Sequence, residues 1–100
     1  MKVKKKTIFF IGAGKESIPG IKFAKKKGLN VIVSDKSKKA PGIKFCDSYI
    51  NASVYDPIKT LKILKKIYKE KVHGVMSLSS DVPLTVSYLS KKLKTYGYNM

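Results

Sequence analysis

The stretch Ile8-Phe9-Phe10-Ile11-Gly12-Ala13-Gly14-Lys15-Glu16-Ser17-Ile18-Pro19-Gly20 decides how this chain is read. Four apolar residues, Ile8 to Ile11, follow one another without polar alternation, as in a strand covered on both faces. Gly12 and Gly14 then allow a tight turn. A helix opens after it, with Pro19 in the first turn, where a missing N–H costs little. This layout gathers main-chain N–H groups and the positive end of a helix dipole at one point. An anionic ligand group is well served there.

Outward from this stretch, strand and helix patterns alternate. The first helix is expected over 17–27, with Ile18, Ile21 and Ala24 facing inward and Gly28 as its C-terminal glycine. Residues 29–33 read as a second buried strand, and 34–42, with Pro41-Gly42, as a loop. A short third strand lies within 45–51, centred on 48–50. Asp56 and Pro57 mark the N-cap and first position of a second helix. Its apolar face is expected to be Ile58, Leu61, Leu64 and Tyr68. Residues 72–78 read as a fourth strand. A third helix follows over 82–94, with Val82, Val86, Leu89 and Leu93 in register, Pro83 in its first turn and Ser80 or Asp81 as its cap. Tyr49, Tyr55, Tyr68, Tyr88, Tyr96 and Tyr98 read as the edge of the core.

Strands alternating with helices imply parallel pairing through right-handed crossovers. The expected fold is therefore α/β and Rossmann-like. It is a parallel four-stranded sheet in the order 3-2-1-4, with helices on both faces. The 100 residues make a single domain, 1–100. In such sheets a ligand lies beyond the carboxyl ends of the strands, where the strand order reverses, here between strands 1 and 4. That rule selects residues 12–17, 34–36 and 77–81.

Within those segments the candidate ligand-binding residues are Gly12, Ala13, Gly14, Lys15, Glu16, Asp35, Ser79, Ser80 and Asp81. Gly12-x-Gly14-x-x-Ser17 is a partial dinucleotide fingerprint, with serine where the third glycine belongs. Asp35 follows Gly12 by 23 residues, where a ribose-binding acid would lie. Each residue also has a plain structural reading. The glycines permit the turn, and Glu16 favours the helix start through the dipole. Asp35 is an acid in a lysine-rich loop, and one of Ser79, Ser80 and Asp81 suffices as a cap. A P-loop is excluded, because Lys15 is followed by Glu16 rather than by Ser or Thr.

The formal charge of +16 comes from 22 basic residues, every one a lysine. Proteins that read nucleic acid rely on the planar fork of arginine. These lysines are scattered over both ends and all helices, so a solvated surface is expected and no specific nucleic-acid partner. Weak, salt-dependent attraction to polyanions remains a third reading of the chain. No apolar run reaches the roughly 18 residues of a membrane span, and no export signal is read at the basic start, so a cytoplasmic location is expected. Cys46 is the single cysteine. It is read as a packing residue, as His73, the single histidine, is read as a surface residue. No catalytic residue and no metal ligand set is identified.

Five segments together resemble a known family. They are 11–20, Gly28-Leu-Asn-Val-Ile-Val-Ser-Asp-Lys36, Ala40-Pro-Gly42, Asn51-Ala-Ser-Val-Tyr-Asp-Pro57 and Gly74-Val-Met-Ser-Leu-Ser-Ser-Asp-Val-Pro83. In order and spacing they are similar to the N-terminal, pre-ATP-grasp domain of ATP-grasp ligases. The first domains of biotin carboxylase, the carbamoyl-phosphate synthetase large chain and the purine-pathway ligases are of this type. The resemblance spans about 7–90. It implies a ligase that joins a carboxylate to an amine through an acyl-phosphate, using ATP and magnesium. In the family the first domain lines the substrate side and holds a small anionic group at its glycine turn. By position this involves residues 12–16 and 79–81, and more weakly Asp35. The subdomains that hold ATP and magnesium are not found in these residues. The chain alone is therefore expected to be inactive and to need the missing ATP-grasp part, in cis or from a partner chain. The alternative is a stand-alone module that binds a nucleotide or phosphorylated metabolite.

Overall fold

The computed structural model describes residues 5–78 and 82–99. Its strands are β1 (Thr7–Ile11), β2 (Asn30–Asp35), β3 (Ser48–Asn51), β4 (Gly74–Ser77) and β5 (Tyr96–Asn99); its helices are α1 (Ile18–Lys26), α2 (Pro57–Ile67) and α3 (Pro83–Lys92). The sheet order is β3-β2-β1-β4-β5, and every pairing is parallel. The order 3-2-1-4 read from the sequence stands. The fifth strand, which contains Tyr96 and Tyr98, is an addition at the edge of the sheet.

The apolar run of β1 is explained by its central position, because consecutive side chains leave opposite faces of the sheet. Phe9 and Ile11 enter one layer, with Ile32, Ile50, Val75 and, from α2 and α3, Leu64, Val86 and Leu89. Phe10 enters the other, with Val31, Val33 and, from α1, Ile21 and Ala24. Phe9 and Phe10 are almost fully buried. Each contributes roughly 2–3 kcal/mol of apolar burial.

The helix ends follow local chemistry. Asp56 Oδ1 accepts the Lys59 N–H at 3.1 Å, with Pro57 at the first position of α2. Gly28 closes α1 at φ 82°, with Leu29 N–H on Ala24 O and Gly28 N–H on Lys25 O, both at 3.0 Å. This is the Schellman arrangement. The same arrangement ends α3, where Thr95 N–H meets Ser90 O at 2.9 Å, yet the left-handed residue is Lys94 at φ 54°.

The buried face of α2 differs from the expected one. Ile58 was placed on the apolar face of α2 but is 67% exposed, while Thr60 is buried instead. One turn into the helix, the buried stripe has rotated to Thr60 and Leu64. The N-cap position of α3 is Val82, without a side-chain cap, whereas Ser80 and Asp81 lie outside the described residues. Among the described residues no helix is long and apolar enough to cross a membrane.

Candidate functional site

The turn after β1 is built by its glycines and locked by its neighbours. Gly12 takes φ 93°, a region that side chains avoid, and its N–H donates to Ser34 O at 2.8 Å. Gly14 is extended, and Ser17 N–H donates to Gly14 O at 3.0 Å. The residues Lys15–Ser17 form a 3-10 turn that runs straight into α1. Ser17 stands where a dinucleotide fingerprint has its third glycine. It is fully buried, and its hydroxyl donates to Gly12 O at 3.0 Å, tying the two ends of the turn. The close helix-to-strand approach falls to Gly20 instead. A Cβ there would collide with the Leu78 side chain and lie 3.2 Å from the Phe10 ring.

Asp35 ends β2 beside this turn. Its Oδ2 accepts the Ala13 N–H at 3.0 Å and its Oδ1 accepts the Ser37 N–H at 2.9 Å. Its backbone oxygen accepts the Tyr49 hydroxyl at 2.7 Å, and Asn51 Nδ2 reaches Lys36 O at 2.9 Å. The carboxylate thus works as a brace between β1 and β2. On the other side of Ala13, Gly42 N–H donates to Ala13 O at 2.7 Å. Gly42 belongs to a 3-10 turn, Pro41–Phe45, in the stretch that the sequence reads as loop and short strand. A Cβ at Gly42 would stand 2.8 Å from Ala13 O and 3.0 Å from Ile21 Cδ1, so only glycine fits there.

These contacts narrow the expected anion site. The N–H groups of Gly12, Ala13 and Ser17 are taken up by the protein itself. Those of Gly14, Lys15 and Glu16 have no partner among the described residues, and Lys15 and Glu16 are exposed. Three adjacent amides without a partner among the described residues and the exposed Lys15 side chain therefore stand at the start of a helix. A run of donors at a helix start suits a phosphate or carboxylate. Beside it, a cavity of about 210 Å³ is lined by Asp35, Lys36, Ser53, Val54 and Tyr55. Ser79, Ser80 and Asp81, the opposite wall expected from the sequence, lie outside the described residues.

Two larger cavities, of about 430 and 620 Å³, open at the amino end of the sheet around Lys71 and His73. Size does not make them the site, because the strand rule places ligands at the other end. Their polar floor is also already paired. Thr7 N–H donates to His73 Nδ1 at 3.0 Å, His73 N–H returns to Thr7 O at 2.7 Å, and Asn30 Nδ2 donates to Thr7 Oγ1 at 3.1 Å. The Tyr68 and Thr7 hydroxyls share a further hydrogen bond. His73 is thus a half-buried clasp between β1 and β4 rather than a plain surface residue.

Cys46 and Asp47 are held by neighbouring groups. Burial pushes the Cys46 thiol up from its ordinary value, and its S–H donates to Ile43 O at 3.0 Å. A thiol held protonated is a poor nucleophile. Burial also pushes the Asp47 carboxyl up, but the Lys25 ammonium and the Val31 N–H outweigh it, and the net shift is downward. Among the described residues no group of three or more His, Cys, Asp or Glu side chains is placed to hold a metal ion.

Comparison with known proteins bears on the family and the fold. Residues 8–99 match the family described as "PylC-like, N-terminal domain". No curated protein sequence matches the chain. Among solved structures, N5-carboxyaminoimidazole ribonucleotide synthetase from Thermotoga maritima is similar with a TM-score of 0.71 and 23% identity, over 91% of this chain and 24% of that one. An ADP complex of the same type of synthetase, purK, gives 0.73 and 25% identity, over 95% and 24%. Glycinamide-RNase-transformylase T from Mycobacterium tuberculosis gives 0.72 at 12% identity, over 93% and 26%. The likeness at these identities is one of fold. The chain spans about a quarter of the length of these proteins.

Proposed function

This chain belongs to the PylC-like N-terminal domain family, and from that premise we propose that it forms the substrate side of an ATP-dependent carboxylate–amine ligase of the ATP-grasp type. The observation that carries the proposal is the turn at residues 14–16. Three amides without a partner among the described residues, and a lysine, stand at a helix start on the carboxyl end of a parallel sheet. In this reading the turn holds the anionic group of the substrate and presents the rest of it to the ATP-binding part. ATP and magnesium, when bound by that part, supply an activated acyl-phosphate. The described residues contribute binding and orientation and no proton transfer. The solved synthetase with ADP supports the pairing of this fold with a nucleotide-using partner domain.

The Asp35 brace and the Gly42 contact fit the same reading, because a donor array works only when its geometry is fixed before the ligand arrives. Lys15 adds charge, and the general excess of lysine speeds the approach of anions without selecting among them. The test is calorimetry and turnover on the purified chain. Saturable binding of inorganic phosphate or a sugar phosphate is expected, with no hydrolysis of magnesium-ATP. ATP hydrolysis by residues 1–100 alone would overturn the proposal.

A further inference from the structure

The amino end of the sheet carries a polar cluster that the function proposed above does not use. The cavities of about 430 and 620 Å³ there share Lys71 and His73. The smaller one is also lined by Lys6, Lys94, Ile8 and Met76, and no acid is among its lining residues. Glu70 stands at the larger one. Ile8 and Met76 are half-buried and pack against the same apolar layer. Gly74, opposite Ile8 in the sheet, brings no side chain to that wall.

Two observations add to the volume. The first is the proton on His73. A main-chain N–H can only donate, so His73 Nδ1, 3.0 Å from the Thr7 nitrogen, carries no proton. The ring proton therefore sits on Nε2, and among the described residues no hydrogen bond engages that nitrogen. The imidazole, which lines both cavities, is thus held in one tautomer with a donor to spare. The second is Lys94. It holds φ 54°, a left-handed conformation that glycine takes freely and other residues avoid. Lys94 is exposed and lines the smaller cavity. Strain kept at a cavity, where glycine would remove it, points to a use for the lysine side chain.

We propose that the smaller cavity binds a small organic anion. Its carboxylate is received by His73 Nε2–H and the ammonium groups of Lys6, Lys71 and Lys94, and its apolar body lies against Ile8 and Met76. The pattern is that of small-molecule sites, with an apolar wall and a few convergent polar groups. This site is separate from the glycine turn and does not depend on the function proposed there. Inorganic phosphate has no apolar part to lay on the wall and is not its ligand.

The test is titration of the purified protein with hexanoate, followed by NMR of the amides and of the His73 ring nitrogens. Saturable shifts are expected at Ile8, Gly74, Met76 and Thr95, with a change at His73 Nε2 and little at Nδ1. Acetate should bind about tenfold more weakly, the effect of losing roughly two buried CH₂ groups. Hexanol, which lacks the charge, should also bind more weakly. Lys94→Gly should weaken hexanoate about threefold, as for an exposed ion pair, while raising the melting temperature. A variant that is more stable yet binds less well has not lost binding through misfolding. Acetate equal to hexanoate would refute the apolar wall, and hexanol equal to hexanoate would refute the anion. An unmoved His73 Nε2, unchanged affinity in Lys94→Gly, or no saturable shift would each overturn the proposal.

Discussion

The two ends of the sheet are held together differently. At the carboxyl end, the turn after β1 is fixed by buried and partly buried contacts centred on the backbone. The carboxylate of Asp35 takes the Ala13 N–H, Gly42 takes the Ala13 carbonyl, and Ser17 takes the Gly12 carbonyl. At the amino end, partly exposed side chains dominate. Lys25 pairs with Asp47 at 2.6 Å, and lysine stems line both cavities. The larger cavities are at the end with the looser contacts. On the function proposed above, a rigid frame around amides with no partner among the described residues marks the site, and empty volume does not.

Mutations at the two ends should therefore differ in cost. The largest effect is expected for Gly42→Ala, where the new methyl meets a backbone carbonyl that cannot move aside. A loss of about 2–3 kcal/mol in denaturant unfolding is expected, and a change under about 0.5 kcal/mol, the scale of an uninvolved surface site, would refute the tight contact. Asp35→Ala removes the acceptor of a buried N–H and should cost about 2 kcal/mol. It should also weaken phosphate binding, since the turn loses its brace. Asp35→Asn keeps one acceptor oxygen and should recover part of both losses.

At the amino end, Asp47→Asn should cost about 1 kcal/mol at neutral pH, because its partner is partly exposed and screened. The Asp47 carboxyl titrates below its ordinary value of 3.8 in the folded chain. Its contribution is therefore full above 3.8 and fades as pH falls through the lower folded value. Stability curves of the wild type and Asp47→Asn should converge in that acid range and stay parallel above it. The smallest effect has the opposite sign. Lys94→Gly relieves a left-handed lysine and should stabilise the chain by about 0.5–1 kcal/mol, measured by thermal unfolding.

The same two ends show what a single sequence makes legible. The order of four strands was readable because β1 and β2 are unbroken apolar runs and the helices between them carry proline and glycine punctuation. Gly28 announced the end of α1. No glycine marks the end of α3, because Lys94 takes that conformation without one, and the short β5 beyond it was not expected. The position of the glycine turn was legible, but its partners were not. Asp35 read equally as a ligand contact or a loop acid, and only three dimensions show its oxygens on Ala13 and Ser37. Gly42 read as part of a loop, because nothing local connects it to Ala13. Ile58 followed the helical spacing yet faces outward, and local periodicity does not record where a neighbouring surface ends.

The central claim is that an anion is received by the amides of residues 14–16 at the carboxyl end of the sheet. Amide-resolved NMR during titration with inorganic phosphate tests it most directly. The account predicts saturable shifts concentrated at Gly14, Lys15 and Glu16, with Ala13 following through its bond to Asp35. Shifts centred on Lys71, His73 and Lys94, or a uniform drift across the lysine surface that salt abolishes, would contradict it.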